Sequence, residues 1–287
     1  MADVRKLLEK EVNGLNVNLL QFDIESDESI KELKEYLIHK IKISKVHNAE
    51  EYDLTYYGAK NLNPKFVAKF NEQVAKINIP NKASLPQFDV RRERVTEWMA
   101  QFILEQEYGC TFYDEADKRI NIKETEIDKH TPGIDVPGIL LDYDTIRFVV
   151  CEVKASAETS IPCSSSVDLQ KDIQKAINNV DNRVSREILE YMHGIRNIKL
   201  QDDMLKRIIE FLAQLIAGEQ KELADNIFFF PFLIRNNARI AAEHNIDDYR
   251  DFTLQNVKRE NVENVILSFG RNFTEFSNEV YAEAIGE

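Results

Sequence analysis

Two stretches decide how this chain reads: Gly133-Ile134-Asp135-Val136-Pro137-Gly138 and, after a turn, Val149-Val150-Cys151-Glu152-Val153-Lys154. The run from Ile146 to Val153 is rich in β-branched residues, which favours a strand. Side chains at i and i+2 of a strand share a face. Glu152 and Lys154 therefore project together, and Cys151 and Val153 project to the other side. Asp142-Tyr143-Asp144-Thr145 reads as a hairpin turn that returns Asp135 to the side of Glu152. Asp135 lies between Gly133 and Pro137-Gly138, which suggests a bend or bulge that aims its side chain. Charges at the end of an otherwise apolar strand cost free energy unless they are paired or metal-bound. Two clustered carboxylates suit a hard cation such as Mg²⁺ or Mn²⁺. A neighbouring lysine can orient water or offset charge on a phosphate. That set is a minimal kit for metal-dependent phosphodiester cleavage; the commonplace reading of an acidic-x-Lys tripeptide is a solvated strand face.

Upstream, Arg91 to Tyr108 reads as a helix with Val95, Trp98, Met99, Phe102 and Ile103 as its buried stripe. Glu93 and Glu97 share another face. Glu97 reads from its position as a surface glutamate paired with Arg94 or with a lysine elsewhere. Downstream, Ser164-Ser165-Ser166 leads into a helix from Val167 to Asn178. Gln170 and Gln174 share one face of it, as ordinary surface glutamines do.

The order Asp135, gap, Glu152-Val153-Lys154 resembles the PD-(D/E)xK nuclease superfamily, with Ile134 in place of the motif's proline. The resemblance implies an α/β fold with a restriction-endonuclease-like core, a mixed sheet flanked by helices, that begins with a helix. It implies Asp135, Glu152 and Lys154 as catalytic residues, with Asp135, Glu152 and, from the first helix, the auxiliary ligand Glu97 on the metal, and the helix face of Gln170 and Gln174 against the substrate backbone. The helix through Glu97, the Gly-x-Asp, the run Cys151-Glu152-Val153-Lys154-Ala155, the late Ser268-Phe269-Gly270-Arg271 and a C-terminal helix resemble the HamA-type nucleases of bacterial Hachiman anti-phage systems. That family implies a DNA nuclease paired with a helicase, and the likeness covers roughly residues 85 to 287.

The charge balance points the same way. The chain has 50 acidic against 37 basic residues and a net charge of -13. Phosphate contacts come from Lys and Arg, so such a chain is ill suited to hold nucleic acid alone, and a helicase or other ATPase subunit presenting DNA is expected. Between residues 91 and 165 there are 15 acids and 9 bases, so part of the excess lies where the carboxylate site is proposed. The 9 glycines form no phosphate-cradling loop, so an ATPase activity of its own is not expected. Three cysteines without paired spacing and an N-terminus without a signal-peptide core point to a reducing cytoplasm. No two histidines fall at i and i+4, and no apolar run approaches a membrane span.

The division expected is an N-terminal α/β unit over 1–84 and a nuclease-like domain over 85–287 with a helical insertion. In the first, Leu15 to Ile24 can form a strand, Asp27 caps a helix striped by Ile30, Leu33, Leu37 and Ile41, and Asn63-Pro64 starts another. This unit reads as a partner-docking arm or as an extension of the nuclease sheet. Pro80 to Pro86 reads as a linker, and Tyr52, Tyr56 and Tyr57 as packing residues or base-stackers. Residues 183–219 read as two helices split near Gly194, and 227–234 as a buried strand bulged at Pro231. Arg235 and Arg239 could reach phosphate or form surface ion pairs. The last helix, with Phe276, Val280, Tyr281 and Ala284 on one face, reads as a docking helix. Two other functions stay open: a stand-alone restriction-type endonuclease, and a catalytically inert assembly subunit on the nuclease fold.

Overall fold

In the computed structural model the described residues are 4–22, 26–50, 62–78, 87–114, 116, 134–142, 145–195, 203–218, 224–236 and 246–285. The linker at 80–86, Tyr52, Tyr56, Tyr57, His130 and Arg239 lie outside them. Strands β1 (Val4–Val12) and β2 (Leu15–Phe22) form a hairpin around Asn13 and Gly14, at φ 52° and 79°. Both left-handed values suit a tight hairpin turn, and Asn-Gly adopts them at low cost. Helices α1 (Asp27–Glu50), α2 (Pro64–Asn78) and α3 (Gln87–Tyr108) follow. Strand β3 (Cys110–Thr111) precedes the hairpin of β4 (Val136–Asp142) and β5 (Thr145–Ser156). Then come α4 (Ser164–Asn178), a π-helical turn (Val180–Val184), α5 (Ser185–Ile195) and α6 (Asp203–Ala217). Strands β6 (Ile227–Arg235) and β7 (Glu263–Ser268) and helix α7 (Phe273–Ile285) complete the fold.

All seven strands make one mixed sheet in the order β1-β2-β7-β6-β5-β4-β3. Strands β2, β7, β6 and β5 run parallel, and β1, β4 and β3 are antiparallel to the strands they join. The expected α/β class, a mixed sheet flanked by helices, is therefore present. Helices α1, α3 and α7 cover one face over Cys151, Val153, Phe230 and Phe232. Helices α4, α5 and α6 cover the other over Phe148, Val150, Phe229 and Leu233. Each buried side chain of this size stabilises the fold by about 1.5–3 kcal/mol before entropy is counted. Among the described residues, no helix is long and apolar enough to cross a membrane.

Strand β2 pairs with β7 from Asn16↔Glu263 to Gln21↔Ser268, and α1 packs on α3 and α7. The N-terminal strands extend the common sheet, the second of the two readings above. Pro231 makes no bulge. Phe229↔Val262 and Phe232↔Val265 keep one register, and the pairing to β5 runs on through Glu152↔Pro231. Proline lacks a donor, and the ladder to β7 is interrupted at Phe230 and Pro231 with no residue inserted. The docking face of α7 is already occupied. Phe276, Val280, Tyr281 and Ala284 are buried, with the Phe276 ring 4.9 Å from that of Phe269, and Lys34 of α1 pairs with Glu279 at 3.2 Å and Glu283 at 2.5 Å.

Candidate active site

The alternation of β5 does what its sequence implies. Val149, Cys151 and Val153 enter the core under α3, while Phe148 and Val150 face α4 and α5. Glu152 and Lys154 belong to the second face. Val136 pairs with Cys151 across the β4–β5 hairpin, so the residue before it, Asp135, comes level with Glu152. Asp135 stands in a bend at the start of β4. Its Oδ2 accepts the Val153 N–H at 2.8 Å, so a side chain continues the ladder where the backbone turns away. The hairpin expectation holds; its tip, 143–144, lies outside the described residues.

Two more charged groups complete the cluster. Lys154 Nζ lies 3.0 Å from Asp172 Oδ2 on α4, and Lys175 holds the other oxygen of Asp172 at 2.8 Å. Arg183 Nη2 lies 2.8 Å from Glu152 Oε1. Asp172 sits beside the buried stripe of α4 (Leu169, Ile173, Ala176), and Arg183 is carried by the π turn between buried Val180 and Val184. Such turns recur at functional sites. Neither residue was singled out from sequence. Asp172 had a weak signal, an acid in the helix after the acidic-x-Lys strand; Arg183 had none, because its contact to Glu152 spans 31 positions.

The electrostatics follow from burial. Glu152 is 2% exposed. Burial first, and then Asp135, push its carboxyl up to about 8 against the pull of Arg183 and Lys154. Burial also raises Asp135, although the Val153 N–H, Lys154, Arg94 and Arg183 oppose it. Burial would lower Lys154, but Asp172, Asp135 and Glu152 more than offset this and hold it above the ordinary lysine value. Asp172 is depressed: burial would raise it, and its bonds to Lys175 and Lys154 prevail. Two carboxyls reluctant to ionise together, beside a firmly protonated lysine, are what a divalent cation would relieve.

The other expected site residues go elsewhere. Glu97 forms an ion pair with Arg94 on α3. That helix covers the sheet face opposite to Glu152, and the described residues contain no cluster of three acids, histidines or cysteines placed to hold a metal. Arg94 in turn acts on Asp135. Gln170 and Gln174 share a face, but that face holds the segment 253–255. Gln170 donates to Thr253 O at 2.9 Å; Gln174 donates to Gln255 O at 3.1 Å and accepts from Gln255 N at 2.8 Å. Their role here is to fasten a loop. Arg235 is fully buried, with Nε 3.1 Å from Asp248 Oδ2 and Nη2 donating to Ser160 O at 3.1 Å, so it neither reaches phosphate nor sits on the surface.

The donor set fits Mg²⁺ or Mn²⁺ in kind. Mg²⁺ keeps several waters and needs only one or two carboxylates from a protein, and Asp135 and Glu152 supply two. Comparison of the chain with protein-family models, curated proteins and solved structures finds no match.

Proposed function

We propose that this chain is a Mg²⁺- or Mn²⁺-dependent nuclease that hydrolyses DNA phosphodiesters in the bacterial cytoplasm, as the effector of an anti-phage complex with a helicase partner. The observation that carries the reading is the convergence of Asp135, Glu152 and Lys154 on one end of the β4–β5 hairpin, with Lys154 fixed by Asp172. Asp135 and Glu152 would hold the cation. A bound cation supplies Lewis acidity toward a phosphate oxygen and a water of lowered pKa. Lys154 carries its proton on Nζ, which lets it orient the attacking water or offset charge developing on the phosphate. Asp172 keeps that ammonium charged and aimed along the face of Glu152.

The partner rests on the acidic balance and on the resemblance to HamA. With the apolar face of α7 buried, a helicase would have to dock elsewhere. The test is Glu152→Ala with Lys154→Ala, assayed on DNA with Mg²⁺, with EDTA, and with a co-expressed helicase. The double substitution abolishes cleavage in protein whose circular dichroism spectrum is that of the folded chain, and EDTA abolishes cleavage by the unsubstituted chain. Cleavage that survives the double substitution or excess chelator overturns the assignment. Efficient cutting by the lone chain at physiological salt would replace the helicase-coupled reading with the restriction-type one.

A further inference from the structure

Glu152 already holds a cation. Its Oε1 lies 2.8 Å from Arg183 Nη2, and the two side chains are 3% and 18% exposed, so the pair is screened little by solvent. Arg183 also acts on Asp135 across the hairpin. Its charge thus serves the same two carboxylates that the nuclease reading gives to the metal. The other nearby cation, Lys154, is held by Asp172. Arg183 does not belong to the strand it neutralises. It rides on the π turn Val180–Val184, closed by the Ser185 N–H and Oγ on Val180 O. A π turn carries one residue more than an α-helical turn and recurs at functional sites. The guanidinium reaches Glu152 from outside β5, so a change of its rotamer releases Oε1 without moving that strand.

Resting on the nuclease reading of Asp135 and Glu152, we infer that Arg183 is a built-in competitor for the divalent cation. Its guanidinium neutralises Glu152 when the site holds no metal, and it must release Oε1 before the metal can use that oxygen. The consequence is a site that fills only at raised metal concentration, or when some other event turns Arg183 away.

Isothermal titration of Mn²⁺ into the full chain tests this, with circular dichroism following the fold. Arg183→Gln is expected to bind Mn²⁺ about tenfold more tightly than the unsubstituted chain, a coupling of ordinary size. Arg183→Lys retains the charge and most of the competition. Glu152→Gln abolishes binding. Binding that Glu152→Gln leaves untouched, or none in any variant, refutes the metal site itself. Binding that needs Glu152 but is no tighter in Arg183→Gln overturns the competition and leaves the site standing. If Arg183→Gln is unfolded without metal, Mn²⁺ must restore its circular dichroism spectrum at concentrations below those that saturate the unsubstituted chain; failure to do so also overturns the inference.

Discussion

Arg235 and Asp248 are both fully buried, and each answers a charge that the interior would otherwise reject. Asp248 Oδ1 also accepts the Cys163 N–H at 2.8 Å, so the pair ties the end of β6 to the entry of α4. Removing one partner strands the other. Arg235→Met or Asp248→Leu alone should each cost about 3–5 kcal/mol in urea denaturation, and the two together distinctly less than either. Simple additivity of the single effects would show that the pair is not coupled. At the candidate site, Asp172→Asn leaves Lys154 less firmly held. It should lower cleavage about 10–100-fold, by analogy with partners that orient metal ligands, while Mn²⁺ affinity and melting temperature stay close to those of the unsubstituted chain. An equal loss of metal affinity would argue that Asp172 is itself a ligand. Asp135, Glu152 and Lys154 were legible because strand alternation and a hairpin are local rules. Asp172 and Arg183 reach the same spot through helix packing, which no local rule reports.

At the scale of elements, the stripes of α1 and α3 were readable because each buries one continuous apolar face. Strand β1 was missed, since most of its residues are exposed along the sheet edge and it lacks an apolar run. Its signal was the Asn13-Gly14 pair, the strongest short-range mark of a hairpin. Helix α7 was misread for a different reason. An apolar stripe is the same pattern whether it meets a partner or the chain's own core, and here α1 and Phe269 take it. Gly138 in β4 offers a test of how tightly the elements close. A Cβ added there would lie 2.3 Å from Cε1 of Phe112, a ring only 7% exposed. Gly138→Ala should destabilise by about 1–3 kcal/mol through overpacking, and Phe112→Leu in the same chain should recover part of it. A neutral Gly138→Ala in thermal and urea melts would show that the ring gives way freely.

For the whole molecule, one sheet takes strands from both sides of the division that composition suggested. A boundary near residue 84 looked plausible because 80–86 reads as a linker, yet pairing of β2 with β7 is a long-range event that no linker signal predicts. A chain lacking residues 1–61 would lose β1, β2 and α1, leaving β7 as an open edge and α7 without its neighbour. It should be expanded and aggregation-prone in size-exclusion chromatography. A well-behaved, cooperatively melting product would restore the two-domain view.

The place of β7 sets the order in which this protein can come into being. Glu263–Ser268 is made after the other described strands, yet it is the strand that joins the β1–β2 hairpin to β6. While the ribosome is still at work, the chain carries Asp135, Glu152 and Lys154 on half of an unjoined sheet. Early folding of N-terminal segments cannot complete the molecule, and a product ended prematurely before residue 263 never can. Under the nuclease reading, a cell that makes this chain meets a finished cutter only once translation has passed β7.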